Sequence, residues 1–182
     1  MKKVFIGGSR RISRLNQTIQ SRIDGIIEAG LCVLVGDANG ADKAVQRLLA
    51  QRGYQHVTIF FSGSDCRNNV GGWTTHSVPV ERKKKDFDFY AAKDLAMANE
   101  ADYGLMLWDG ESRGTLNNIL KLLDRRKQVV VYFSPQTKCI TARNVEDLNP
   151  LLEKCSGRAL PELSRRLTSG KEGAVSQLLI QD

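Results

Sequence analysis

The stretch Ala101–Asn118, ADYGLMLWDGESRGTLNN, constrains the fold most tightly. Tyr103–Trp108 is a short apolar run of strand length. Asp109–Thr115 is a polar loop bracketed by Gly110 and Gly114. From Leu116 the apolar residues Leu116, Ile119, Leu120 and Leu123 fall at helical spacing. The segment therefore predicts a buried strand running into a loop, and a loop that opens a helix. At such a start the first-turn amides lack partners and the helix dipole is positive, which attracts anions. Ser112, Gly114 and Thr115 sit there, and Asp109, Ser112 and Thr115 add carboxylate and hydroxyl groups suited to a sugar or a phosphate.

The same unit recurs upstream. Lys3–Ile6 reads as a strand that stops at Gly7-Gly8-Ser9-Arg10, followed by a helix with Ile12, Leu15, Ile19, Ile23 and Ile26 on one stripe and Gly30 at its end. Leu31–Val35 is a continuous apolar run, as in a strand covered on both faces. It enters a second Gly-rich loop, Gly36-Asp37-Ala38-Asn39-Gly40-Ala41-Asp42, and a helix with Ala44, Val45, Leu48 and Leu49 inward. His56–Phe61 is a third strand, and Gln128–Phe133 a fifth. Between them lie a long polar segment, Ser62–Val80, read as a loop, and a helix over Glu81–Asn99. In that helix Phe87, Ala91, Leu95 and Ala98 form the expected core stripe, with Tyr90, Lys93, Asp94 and Met97 on the adjacent one. Strands alternating with helices at this spacing predict an α/β fold. The expectation is a Rossmann-like, doubly wound, mainly parallel five-stranded sheet in the order 3-2-1-4-5, with helices on both faces. Residues 1–134 form the expected domain, and 135–182 a helical appendage without its own core. Within that appendage Cys139–Ala142 reads as a short strand, Asp147–Lys154 as a short helix, and the leucines from Leu160 onward as further helix.

Composition narrows the function classes. The chain has 182 residues, a net charge of +7 and 41% hydrophobic residues, enough for a real core and suited to an anionic ligand. Nucleic acid is permitted by the same charge and ranks below a small molecule. The four cysteines, Cys32, Cys66, Cys139 and Cys155, form no CxxC pair, so neither a zinc knuckle nor any other metal or cofactor is expected. The apolar run after Met1-Lys2-Lys3 ends at Ile6, too short for a signal peptide, and no run reaches membrane-spanning length. A reducing, cytoplasmic setting is expected, and open helix faces of such folds suggest a homodimer.

In a doubly wound sheet ligands sit at the carboxyl ends of the strands where strand order reverses. Loop Gly7–Arg11 then faces loop Asp109–Thr115, and loop Gly36–Asp42 flanks both. The GxGxxG and GxxxxGK[ST] phosphate signatures are absent, and so are HExxH and GxSxG. Four motifs in order remain: Gly7-Gly8-Ser9-Arg10; Gly36-Asp37-Ala38-Asn39-Gly40-Ala41-Asp42; Lys93-Asp94…Met97-Ala98…Ala101-Asp102-Tyr103-Gly104-Leu105; and Trp108-Asp109-Gly110-Glu111-Ser112-Arg113-Gly114-Thr115…Asn118-Ile119. Over residues 1–133 this set resembles the SLOG superfamily, in particular its YspA-type branch, related to YpsA, DprA and the lysine-decarboxylase-like LOG proteins. The resemblance implies binding or sensing of a nucleotide or nucleotide-derived phosphorylated ligand. The LOG branch implies an alternative, hydrolysis of the N-glycosidic bond of a nucleoside monophosphate. Its motif carries a glutamate where this chain has Asn118, and an amide cannot replace a carboxylate at an oxocarbenium-like centre. Asp37, Asp42, Asp94, Asp109 or Glu111 could supply a carboxylate from another loop, with Asp37 and Asp109 the catalytic candidates. The DprA branch implies nucleic-acid binding.

The expected ligand-binding set is Gly7, Gly8, Ser9, Arg10, Gly36, Asp37, Asn39, Gly40, Asp42, Lys93, Asp94, Asp109, Gly110, Ser112, Arg113, Gly114 and Thr115. Each also has a plainer reading. Ser9 and Ser112 suit helix caps, Asp42 complements a helix dipole, Asn39-Gly40 is a turn, and Lys93 and Asp94 suit a solvated helix face. Trp73 and Arg67 could stack on a base and hold a phosphate, or belong to an ordinary loop. The run Arg82-Lys83-Lys84-Lys85 reads as a solvated face.

Overall fold

A computed structural model describes residues 1–80, 87–152, 155 and 161. The strands are β1 (Lys3–Gly8), β2 (Cys32–Gly36), β3 (Val57–Ser62), β4 (Thr74–Val78), β5 (Tyr103–Trp108), β6 (Gln128–Phe133) and β7 (Lys138–Ala142). The helices are α1 (Gln17–Glu28), α2 (Ala41–Gln51), α3 (Phe87–Glu100), α4 (Arg113–Leu123) and the short α5 (Asn149–Leu152). The fold is a Rossmann-like α/β sheet of seven strands in the order β4-β3-β2-β1-β5-β6-β7. The five expected strands occupy the middle in the expected order, and all pair in parallel. Two edge strands extend the sheet beyond that expectation. β7 lies antiparallel to β6, and β4 lies parallel to β3.

Alternation along each strand divides the core in two. Phe5, Leu34, Phe60, Met106, Trp108, Val129, Val131 and Phe133 point to one face, where Met97 and Ala98 of α3 and Leu116, Ile119 and Leu120 of α4 cover them. Val4, Ile6, Val33, Val35, Ile59, Leu105 and Leu107 point to the other, beneath Ile19 and Ile23 of α1 and Val45, Leu48 and Leu49 of α2. Strands buried on both faces read as unbroken apolar runs, which is why the central five were recognisable. Leu148, Leu151 and Cys155 complete the first cluster. Burial pushes the Cys155 thiol up to about 11. Among the described residues no helix is long and apolar enough to cross a membrane.

Three local expectations change. Helix α1 begins at Gln17, later than the apolar stripe suggested, because the Asn16 side chain caps it by accepting from Ile19 N at 3.1 Å. Ile12 precedes the helix but still packs in the core. The segment Ser62–Val80 contains a strand, β4, whose residues are mostly exposed. Such an edge strand has no apolar run to betray it; His76 stacks on Phe60 at 4.5 Å and covers that side of the sheet. In α3 the buried positions are Phe89, Lys93, Met97 and Ala98, while Leu95 is 40% exposed. The helix is rotated so that a charged residue, Lys93, faces inward. The run Arg82–Lys85 and the helices expected from Leu160 onward lie outside the described residues.

Two glycines give opposite expectations. Gly40 has φ +82°, and a Cβ there would collide with the backbone of Arg10. Gly40→Ala should lose about 1–3 kcal/mol from backbone strain alone, and more from the collision. Gly25 lies within α1 with nothing near its missing Cβ, so Gly25→Ala should gain about 0.5–1 kcal/mol. Urea unfolding midpoints of the two variants should move in opposite directions.

Candidate functional site

At the carboxyl edge of the sheet, β1 is flanked by β2 and β5, and the loops after all three meet. Ser9 joins them. Its amide donates to Leu107 O at 2.9 Å, and its carbonyl accepts from Ala41 N at 3.2 Å. Its hydroxyl donates to Asp109 Oδ2 at 2.6 Å. Close packing reinforces the junction, since a Cβ on Gly8 would lie 2.5 Å from Leu107 O and 2.9 Å from Ala41 Cβ.

A cavity of about 910 Å³ opens above this junction. Of the expected binding residues, Gly7, Gly8, Ser9, Arg10, Asp42, Lys93, Asp94, Asp109, Ser112, Arg113, Gly114 and Thr115 line it. Gly36, Asp37, Asn39, Gly40 and Gly110 are not among its lining residues. Their roles lie beside it. Gly36 leaves room for Lys93 Nζ, which a Cβ would meet at 2.5 Å. Gly40 lets the β2 loop touch Arg10, Asn39 accepts from Asn68 Nδ2 at 3.2 Å, and Gly110 takes φ +79° to turn the β5 loop.

Helix α4 begins at the cavity. Ser112 caps it, accepting from Thr115 N at 3.3 Å and from Thr115 Oγ1 at 3.0 Å. Asp109 Oδ1 accepts from Ser112 N at 2.7 Å and from Glu111 N at 3.1 Å. Burial opposes the Asp109 charge, but the Ser9 hydroxyl and these amides outweigh it and hold the carboxyl below its ordinary value. The Arg113 and Gly114 amides, first in the helix, keep no hydrogen-bond partner among the described residues. Arg10 and Arg113 line the cavity without a carboxylate partner among those residues, whereas Arg11 is paired with Glu111.

Helix α3 supplies the opposite wall. Lys93, 4% exposed, donates to Asp94 Oδ1 at 2.6 Å and lies 3.9 Å from Asp42 Oδ2. Burial works against the Lys93 ammonium, but Asp94 and Asp42 outweigh it and keep it charged. Burial pushes the Asp42 carboxyl up to about 6. Asn118 of α4 donates from Nδ2 to Asp94 Oδ2 at 3.0 Å, and its own buried Oδ1 has no donor among the described residues. Tyr90 stands near two guanidiniums, with Arg67 4.6 Å and Arg10 5.7 Å from its ring centre.

The segment after β3 is fixed, not loose. Arg67 grips Asp37 through Nε at 2.7 Å and Nη2 at 2.5 Å. Burial opposes the Asp37 charge, and Arg67 more than compensates, drawing the carboxyl below its usual range. Gln46, fully buried, donates to Gly36 O and Asn68 O and accepts from Val70 N. Trp73 does not face the cavity; it is buried in the core, and its Nε1 donates to Tyr54 O at 2.8 Å. Tyr90, Glu111 and Asn118 are cavity residues that the sequence motifs did not place in the binding set. Tyr90 carried a hint, since it shares the helical stripe of Lys93, Asp94 and Met97.

No family model and no curated protein matches the chain. Among solved structures it is similar to DNA processing protein A from Helicobacter pylori, at a TM-score of 0.56 and 17% identity, over 92% of this chain and 81% of that one. That structure is described for its single-stranded DNA binding mode. The likeness is one of fold alone.

The buried Asp42 gives a pH-dependent expectation. A carboxyl raised from 3.8 to about 6 holds a proton in the folded chain that the unfolded chain has already released. Stability from this group therefore falls as pH rises through that interval, by up to about 3 kcal/mol. The stability of the wild type minus that of Asp42→Asn should shrink between about pH 4 and about pH 7 in urea unfolding. A difference that widens over this range contradicts the assignment.

Proposed function

We propose that the protein binds a nucleotide or a nucleotide-derived phosphorylated small molecule in this cavity. The observation that carries the reading is the pair of α4 amides, without a partner among the described residues, that opens on a cavity also lined by Arg113 and Arg10. A cavity of about 910 Å³ falls within the roughly 300–1,000 Å³ typical of small-molecule sites. The phosphate belongs at Arg113 and Gly114, where unpartnered N–H groups and the dipole favour negative charge. The base belongs against Tyr90. The YspA-type branch of the SLOG superfamily is the assignment that fits this use.

Turnover is the less favoured reading. Asp37 gives both oxygens to Arg67, Asp109 braces its own loop, and Asn118 offers an amide where the hydrolase pattern has a carboxylate. Nucleic-acid binding is the second reading. It is favoured by the net charge of +7 and by the single-stranded DNA binding described for the fold neighbour. It predicts retardation of single-stranded DNA with a steep salt dependence.

Isothermal titration against AMP, ADP-ribose, NAD and cyclic dinucleotides tests the first reading. At least one should bind, and Arg113→Ala should weaken it about tenfold, the loss expected for one charge-assisted contact. Flat traces from folded protein for all four would falsify it, and retained DNA retardation would then favour the second.

A further inference from the structure

Resting on the nucleotide reading, we propose that the floor of the cavity reads a vicinal diol, with Asp94 and Asn118 as acceptors for the two hydroxyls of a ribose ring. The cavity is chemically divided. The start of α4 offers donors, the Arg113 and Gly114 amides, which keep no hydrogen-bond partner among the described residues, and the Arg113 guanidinium. The floor offers acceptors.

Asp94 keeps 20% of its side chain exposed and lines the cavity. Each of its oxygens accepts one protein hydrogen bond, from Lys93 at 2.6 Å and from Asn118 at 3.0 Å. A carboxylate has about four acceptor positions, so two remain. Those two bonds fix its plane. Asn118 is 6% exposed, and its Oδ1 is buried with no donor among the described residues. Its Nδ2 is committed to Asp94, so the orphaned atom is the carbonyl, which only a donor satisfies. Asp42, 3.9 Å from Lys93 Nζ, adds a second carboxylate beside it.

An array of acceptors rejects a phosphate oxygen and suits a group bringing two O–H donors. The donor end and the floor are also spaced for one ligand. Gly114 and Asn118 are one turn apart on α4, about 6 Å along its axis. A 5′-phosphorylated sugar can place its phosphate at the first and its hydroxyls at the second.

Titration of the full-length chain with AMP, 2′,3′-dideoxy-AMP and inosine monophosphate decides the matter. AMP should bind about tenfold tighter than the dideoxy nucleotide. Asp94→Ala should collapse that preference to within about twofold. Should Asp94→Ala unfold by circular dichroism, Asn118→Ala must reduce the same ratio. Equal binding of AMP and its dideoxy analogue overturns the diol assignment while nucleotide binding stands. Equal binding of those two with weaker inosine monophosphate transfers the floor to the exocyclic amine of the base and overturns it likewise. No heat from any of the three, with the protein folded, overturns the assignment together with the reading it rests on.

Discussion

Ser9 is the residue on which the site depends. It sits at the end of β1, the strand that has neighbours on both sides where the sheet reverses direction. Its amide, carbonyl and hydroxyl each reach a different partner, and it is 2% exposed. A buried serine with every polar atom engaged acts as a joint. It ties the β1 loop to the β5 loop through Asp109 and to the start of α2 through Ala41. Gly8 and Gly40 allow the backbones to approach closely enough for those bonds to form.

The charges around the cavity divide by burial. Lys93, Asp42 and Asp94 form a group inside it, and the low dielectric there makes their mutual pairing obligatory. Gly36 exists at its position to admit the Lys93 ammonium. Arg10 and Arg113 lie at the exposed margin, and nothing among the described residues neutralises them. Buried charges hold the architecture, and the Arg10 and Arg113 guanidiniums stay at the exposed rim. A net charge of +7 extends an attraction for anions over the whole surface.

The central sheet was legible because parallel strands covered on both faces cannot avoid being unbroken runs such as Cys32-Val33-Leu34-Val35. The strand order followed from the alternation with helices, and the meeting of the β1, β2 and β5 loops followed from the order. β4 was not legible, because Thr74-Thr75-His76-Ser77 is a solvated edge whose partner bonds leave no apolar trace. The inward face of α3 was misread for a related reason. Apolar periodicity marks Leu95 as core, yet Lys93 takes the buried place because the Asp42 carboxylate of α2 and that of its neighbour Asp94 are there to receive it. Asp37 read as a ligand contact because its partner Arg67 is thirty positions away, beyond any local pattern. Gly36, Gly40 and Gly110 belong to the expected binding set, and what approaches them in the structure is the protein itself.

The pinning of the segment after β3 sets how a guest is received. Gln46 holds that stretch at three points, Asn69 brackets Trp73 from both sides of its backbone, and Arg67 is clamped on Asp37. Its Arg67 is held in place beside Tyr90, where it lines the cavity. Little conformational freedom is left to surrender on association, so most of the attraction between the two is retained as affinity. For the ligand proposed above, a segment already set in this way predicts association without a prior rearrangement of this stretch.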